Sequence, residues 1–106
     1  MSTYRVVFSE RVEAQLRAIW DYIAVEADPA AATRTVERLV ARCLLLDTFP
    51  ERGTPHEEYG PRVRTVAFRR SATIGNTVMD RDVVIVGIAW RGQLPGDAIG
   101  VDDPHG

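Results

Sequence analysis

The sequence contains no lysine, one cysteine and two histidines in 106 residues. One cysteine cannot form an intrachain disulfide. The two histidines have no cysteine or second histidine at metal-ligand spacing, so no metal site is predicted. The glycines are isolated, so no phosphate-binding loop is predicted either. No apolar run reaches membrane-span length, and the first residues lack a signal-peptide pattern. We therefore expect a cytoplasmic protein without cofactor, metal or membrane contact.

Length and composition predict one globular domain. Forty-five per cent of the residues are apolar and 26% are charged, with no repeat or low-complexity segment, which is ordinary for a globular chain. A chain of this size can bury one modest core. We assign residues 1–92 to this domain. Residues 93–106, rich in Gly, Pro and Asp, are predicted to form a flexible acidic C-terminal tail.

Two amphipathic helices are predicted in the first half of the chain. Apolar residues recur at helical spacing in two stripes, which consist of Val12, Leu16, Ile19, Trp20 and Ile23, and of Val36, Leu39, Val40, Cys43, Leu44 and Leu46. Ser9 is suited to cap the first helix, and Asp28-Pro29 to start the second. The second helix should end near Asp47, before Pro50. So short a connection predicts an antiparallel helical hairpin, with Cys43 as small core filler.

Four strands are predicted around this hairpin, at residues 4–8, 63–68, 72–78 and 83–89. The last is almost wholly apolar, which favours a central strand covered on both faces. Gly75 is a candidate β-bulge or a site of close approach by another segment, and residues 50–61 are predicted to form a structured surface loop. The predicted fold class is therefore α+β, in the order β-α-α-β-β-β, with the helical hairpin on one face of a mostly antiparallel four-stranded sheet.

The charge is distributed unevenly along the chain. The net charge is −2 and all 13 basic residues are arginines. Residues 61–91, however, contain six arginines and only two aspartates. Guanidinium groups bind carboxylates and phosphates in bidentate fashion, so this half predicts a partner of that chemistry. Codon usage in a G+C-rich genome is the alternative explanation. His56 beside Glu57-Glu58 could form an acid/base cluster, although adjacent loop carboxylates are usually only solvated.

Several segments together resemble the ParE-type toxins of the RelE/ParE superfamily, from bacterial type II toxin–antitoxin systems. They are Ala18-Ile19-Trp20-Asp21-Tyr22-Ile23-Ala24, Asp28-Pro29, Phe49-Pro50-Glu51-Arg52-Gly53, Val63-Arg64-Thr65-Val66 and Val83-Val84-Ile85-Val86-Gly87-Ile88. The resemblance covers residues 4–92. It implies a toxin that inhibits DNA gyrase without chemistry of its own. A cognate ParD-like antitoxin would neutralise the toxin in a hetero-oligomer. The toxin would contact DNA only indirectly, through the antitoxin or gyrase.

Two alternatives stay open beside this interpretation. A RelE-type relative would cleave mRNA on the ribosome, and Arg64, Arg70 and Arg91 would then hold the scissile phosphate. The chain has Gly75-Asn76 where relatives commonly carry Tyr-Arg. It also lacks Tyr, His or Lys after Tyr59 apart from His105, which disfavours a nuclease. The third interpretation is a degenerate, non-toxic domain that only binds an antitoxin.

The resemblance and the residue pattern together name candidate contact residues. For antitoxin binding they are Leu16, Trp20, Ile23, Leu39, Arg64, Arg69 and Arg70. Cys43 completes the apolar groove, and core packing is the alternative role for each apolar member. For target binding they are Trp90 and Arg91. Tyr22 lies off the apolar stripe and is predicted to be a surface contact.

Overall fold

The computed structural model describes residues 3–100. Its helices are α1 (Glu10–Glu26), α2 (Pro29–Leu44) and α3 (Pro95–Ile99), and its strands are β1 (Arg5–Phe8), β2 (Thr54–Pro55), β3 (Arg64–Phe68), β4 (Ala72–Met79) and β5 (Asp82–Trp90). The sheet order is β1-β5-β4-β3-β2. β1 runs parallel to β5, and the other neighbours are antiparallel. The predicted α+β class is confirmed, with five strands rather than four. The additional strand, β2, has two residues and lies in the Pro-rich loop, where it is too short to give an alternating pattern.

The helical hairpin forms as predicted, and its caps explain where each helix begins. The Ser9 hydroxyl accepts a hydrogen bond from the Val12 amide at 3.2 Å. The Asp28 carboxylate accepts one from the Ala31 amide at 2.7 Å, and Pro29 takes the first helical position, where its missing N–H is not needed. A 3-10 turn, Leu45–Asp47, prolongs α2. The two apolar stripes of the hairpin pack against the sheet.

The main core lies between the hairpin and one face of the sheet. Its fully buried members include Val12, Leu39, Cys43, Ile74 and Ile85. In the β4–β5 ladder the register shifts between Gly75 and Asn76, which confirms the predicted bulge. Because side chains alternate along a strand, residues that flank the core members on β5 point to the other face.

A short helix covers that other face of the sheet, and it corrects the predicted tail. Ala98 and Ile99 of α3 are buried against Val63 and Ala89. The Arg11 guanidinium donates to the carbonyls of Asp97 and Gly100, at the C-terminal end of α3. Residues 93–100 therefore belong to the folded domain. The reason is non-local: α3 is held by the sheet and α1 rather than by a periodic pattern of its own. The rest of the predicted tail, residues 101–106, lies outside the described residues.

Candidate functional site at the arginine rim

Three arginines lie at the edge of the sheet where β3 and β5 end and β4 begins. Phe68 pairs with Ala72, and Ala72 pairs with Trp90, so adjacent residues of β3 and β5 lie about 10 Å apart across β4. The arginines that follow these strand ends are all exposed. We call them the arginine rim: Arg69, Arg70 and Arg91. Two segments that are distant in sequence thus present one basic surface.

The backbone of the rim is unusual at two of its arginines. Arg69 has φ 53° and Arg91 has φ 50°, the left-handed region that side chains with a Cβ disfavour. The guanidinium of Arg69 lies 5.2 Å from the Phe68 ring centroid, and that of Arg91 lies 5.4 Å from the Trp90 ring centroid. The turns and the aromatic rings therefore fix where two of the three charges lie.

None of the rim arginines forms an ion pair in the part of the chain that the structure describes. Within residues 3–100 the ion pairs are Arg5 with Asp82 and His56 with Glu58. Both pairs lie away from the β3–β4 turn. Guanidinium groups held on neighbouring turns can bind carboxylates or phosphates of a partner, so the rim is suited to recognition of an acidic surface.

A hollow of about 440 Å³ opens beside the rim, between α1 and the end of β5. Its lining includes Ile19, Tyr22, Trp90, Arg91 and Gln93. The Tyr22 side chain is 46% exposed, in agreement with its predicted place at a surface. The hollow therefore adds an apolar depression and a phenol hydroxyl to the guanidinium groups of the rim.

Two glutamines hold the free edge of β5 next to this hollow. β1 pairs with β5 only as far as Ile85, so within residues 3–100 the later amides of β5 have no strand partner on that side. The Gln15 side chain accepts from the Ile88 amide at 2.8 Å and donates to the Ala98 carbonyl at 2.9 Å. The Gln93 side chain accepts from the Trp90 amide at 2.8 Å. Neither role could be predicted from the sequence, because both depend on where β1 ends.

Arg64 does not belong to the rim, contrary to its predicted grouping with Arg70 and Arg91. It lies at the start of β3, four residues and about 13 Å of strand from Phe68. Its Nη1 donates to the carbonyls of Glu51 at 3.0 Å and Gly53 at 2.8 Å. Arg64 therefore anchors the loop before β2. The three arginines of the predicted phosphate site are not brought together.

The apolar contact candidates divide between core and surface. Leu39 and Cys43 are 0% exposed, so the alternative role of core packing applies to them and partner contact does not. Trp90 is 8% exposed, and it both packs in the core and lines the hollow. Burial also raises the pKa of the Cys43 thiol to about 12, despite the nearby Arg42. Leu16 and Ile23 are half-buried against the core.

Trp20 takes a position of its own among these candidates. It is half-buried, and its indole Nε1 donates to the Thr33 hydroxyl at 3.1 Å. It therefore joins the two helices near the hairpin turn rather than filling the main core.

The remaining chemical candidates stand apart from the rim. His56 lies 2.9 Å from the Glu58 carboxylate, and this hydrogen bond holds the pKa of Glu58 below its usual range. The His56 ring also stacks on Tyr59, with 5.1 Å between ring centroids. Among residues 3–100, no three His, Cys, Asp or Glu side chains group as metal ligands would, and no helix is long and apolar enough to cross a bilayer.

Comparison with known proteins assigns the family. A family profile described as "ParE toxin of type II toxin-antitoxin system, parDE" matches residues 6–95. The fold is similar to that of a chain from the "Chromosomal ParDE TA system from P. aeruginosa", with 23% sequence identity, a TM-score of 0.73, and coverage of 82% of this chain and 95% of that chain. No curated protein gives a significant match. Because the profile spans most of the sequence, this chain belongs to the ParE toxin family of type II toxin–antitoxin systems.

Proposed function

We propose that this protein is the toxin of a ParDE-type pair, and that it inhibits DNA gyrase through the arginine rim. Family membership supports the toxin role. The observation that carries the choice of surface is the grouping of Arg69, Arg70 and Arg91 without carboxylate partners among the described residues. Such a surface binds an acidic partner by charge complementarity. Neutralisation by a cognate ParD-like antitoxin, with both proteins in the cytoplasm, belongs to the same proposal.

The geometry supports inhibition by binding over RNA cleavage. A RelE-type reaction needs a cationic phosphate site and a group that moves protons beside it. Arg64 is engaged with backbone carbonyls at the far end of β3. Among the described residues that line the hollow next to Arg91, the Tyr22 phenol is the one titratable group besides that arginine, and no His or carboxylate of residues 3–100 lines it to activate the phenol. The arrangement is therefore better suited to a contact surface than to an acid/base site.

A supercoiling assay with the purified protein and DNA gyrase tests the proposal. We expect dose-dependent inhibition with accumulation of linear, cleaved DNA. The R69A/R91A double variant should need at least ten times more protein, because each alanine removes one fixed guanidinium. Arg17→Ala, on the exposed side of α1, is the matched control and should act like the unmodified protein. Full supercoiling in excess folded protein would overturn the proposal.

The Tyr22→Phe variant separates gyrase binding from RNA cleavage. It removes only a hydroxyl, so the shape of the hollow is kept. If the protein inhibits gyrase, this variant should remain an inhibitor. If it cleaves ribosome-bound mRNA, loss of the phenol should abolish the cuts seen by primer extension. Cleavage by the unmodified protein that disappears in this variant would favour the RelE-type function instead.

A further inference from the structure

The indole nitrogen of Trp90 has no hydrogen-bond acceptor in the part of the chain that the structure describes. The side chain packs in the main core and is 8% exposed, and its Nε1 is buried without a partner. Native proteins rarely leave a buried donor unpaired, because the lost hydrogen bond to water is then not replaced. The other indole of the chain is paired, since Trp20 Nε1 donates to the Thr33 hydroxyl at 3.1 Å. Core packing therefore explains the burial of Trp90 but not its unpaired N–H.

Trp90 lines the hollow between α1 and the end of β5, where hydrogen-bond donors collect. Arg91 and Gln93 line the same hollow. The Gln93 Oε1 accepts from the Trp90 amide, so its Nε2 is the end of the side chain that remains to donate. The Gln15 amide, also in the lining, already uses both of its ends within the fold. No carboxylate of residues 3–100 lines the hollow. It is therefore suited to a ligand that brings acceptors.

Two of these donors lie close enough together to share one anion. The Arg91 guanidinium lies 5.4 Å from the Trp90 ring centroid, so the two oxygens of a single carboxylate can reach both the guanidinium and the indole N–H. A hydrogen bond from a guanidinium to a carboxylate is stronger than one between neutral groups. Ala18 and Ile19 add apolar walls to the same hollow. The lining therefore matches an anion that is carried on a short aliphatic stem.

We propose that this hollow is a carboxylate subsite of the arginine rim, and that it takes a glutamate or aspartate side chain of the target protein. The Trp90 Nε1 donates to one carboxylate oxygen, and the Arg91 guanidinium pairs with the carboxylate. The methylene groups of the acidic side chain contact Ala18 and Ile19. A protein side chain enters such a hollow end-on, whereas a nucleic-acid phosphate is joined to sugars on two sides. Because Arg91 belongs to both the rim and the subsite, the inference rests on the proposed gyrase function.

NMR of the isotope-labelled full-length protein tests the subsite, because two tryptophans give two indole N–H signals. The probe is a capped tripeptide with a central glutamate, and its control has glutamine in that place. The glutamate probe should move the Trp90 indole proton downfield until the shift saturates, since a new hydrogen bond deshields that proton. The glutamine control should bind about tenfold more weakly. The Trp20 signal should stay in place, because Thr33 already accepts its hydrogen bond. A Trp90 signal that does not move would overturn the proposal.

Matched variants then assign the two donors. Arg91→Ala should weaken binding of the glutamate probe about tenfold, whereas Arg81→Ala, an exposed arginine on the β4–β5 turn, should leave it unchanged. Trp90→Phe keeps an aromatic ring and removes the N–H, so it should also weaken binding, which is then followed at the Gly92 backbone amide. If Trp90→Phe does not fold, the indole titrations of the unmodified protein and of Arg91→Ala decide. Unchanged binding by Arg91→Ala would contradict the proposal, and so would an equal shift of the Trp90 signal by inorganic phosphate.

The supercoiling assay keeps this inference distinguishable from the proposed function. A saturating concentration of the glutamate probe should raise the amount of protein that is needed to inhibit gyrase, and the glutamine control at the same concentration should not. If the probe moved the Trp90 signal but left inhibition unchanged, the hollow would not be part of the gyrase contact, and this inference alone would fail. Failure of the unmodified protein to inhibit gyrase would count against the toxin function, whatever the indole signals show.

Discussion

Gly75 and Gly87 lie directly opposite each other in the β4–β5 ladder, and α3 packs into the space left by their missing side chains. A Cβ at Gly75 would lie 2.2 Å from Ile99 Cγ2, and one at Gly87 would lie 2.2 Å from the Ala98 carbonyl oxygen. Real carbon atoms do not approach so closely. This glycine pair therefore explains why a five-residue helix can be buried on the second face of the sheet.

Alanine at either glycine should destabilise the protein by about 1–3 kcal/mol, the usual cost of overpacking. Gly87→Ala should be the more damaging, because its Cβ meets backbone atoms, whereas at Gly75 it meets a side chain. In the G75A/I99A double variant, the clash is partly relieved, so the loss of unfolding free energy should be smaller than the sum of the two single changes. Urea denaturation measures the free energy of unfolding of the unmodified protein and of the Gly75→Ala, Gly87→Ala, Ile99→Ala and G75A/I99A variants.

Gly92 supplies the control for these substitutions. No atom of residues 3–100, apart from Gly92 and its chain neighbours, lies within 4 Å of a Cβ built there, so Gly92→Ala should change the free energy of unfolding by less than about 0.5 kcal/mol. If Gly75→Ala and Gly87→Ala behaved like this control, α3 would not be packed on the glycine pair.

The sequence predicted those parts of the fold whose cause is local. The hairpin follows from the two apolar stripes and from the capping residues Ser9 and Asp28, each of which acts on its own segment. The burial of α3 was missed because its cause is the glycine pair, and Gly75 and Gly87 lie 20 and eight residues before the start of α3. Sequence periodicity carries no information about which empty space on a sheet another segment will fill.

Arg91 should show a difference between alanine and glycine that isolates backbone strain. Both substitutions remove the guanidinium and its contact with Trp90. Alanine keeps a Cβ at φ 50°, whereas glycine adopts this conformation freely. We expect Arg91→Gly to unfold at a higher temperature than Arg91→Ala. The two variants should differ in free energy of unfolding by about 1 kcal/mol. Both should lose gyrase inhibition to the same extent, since both lack the charge.

The same two variants also test whether the left-handed backbone conformation at Arg91 costs free energy. If the alanine and glycine variants were equally stable, the left-handed turn would impose no cost, and the position of Arg91 would depend on the Trp90 contact alone. Thermal unfolding followed by circular dichroism distinguishes these results without reference to any partner.

Cys43 gives a pH dependence whose direction follows from burial. Its pKa is raised from 9.0 to about 12 in the folded chain. Between these values the unfolded chain has lost the thiol proton that the native chain keeps, so the native state becomes less stable as the pH rises. The slope contributed by this residue is at most about 1.4 kcal/mol per pH unit. Urea unfolding from pH 8 to pH 11 should show it.

The Cys43→Ala variant separates this effect from every other pH-dependent contribution to stability. The difference in stability between the two proteins should favour the unmodified chain most at pH 8 and should shrink above pH 9. Alkylation with iodoacetamide gives a second readout, because the buried thiol should react only after unfolding. Rapid labelling of the native protein would show that Cys43 is not buried as described.

The candidate site was only partly predictable, and the arginines show why. Arg69, Arg70 and Arg91 were each recognised as surface candidates, but their grouping depends on the alignment of Phe68, Ala72 and Trp90 across three strands. Arg64 was recognised by the same reasoning, yet it lies at the other end of β3. Residue type predicts what a side chain can bind, whereas strand register decides which side chains act together.

Arg64 should behave as a structural anchor rather than as a partner contact. Its Nη1 donates to two loop carbonyls, and hydrogen bonds to charged groups contribute more than neutral ones. Arg64→Ala should therefore lower the free energy of unfolding by about 1–3 kcal/mol. It should also speed hydrogen exchange in residues 50–55, while gyrase inhibition is retained at temperatures where the variant is folded. Arg81→Ala, an exposed arginine on the β4–β5 turn, is the control and should change neither quantity. If Arg64→Ala matched this control in stability and exchange but lost inhibition, Arg64 would be a direct contact, and the functional surface would have to extend along β3.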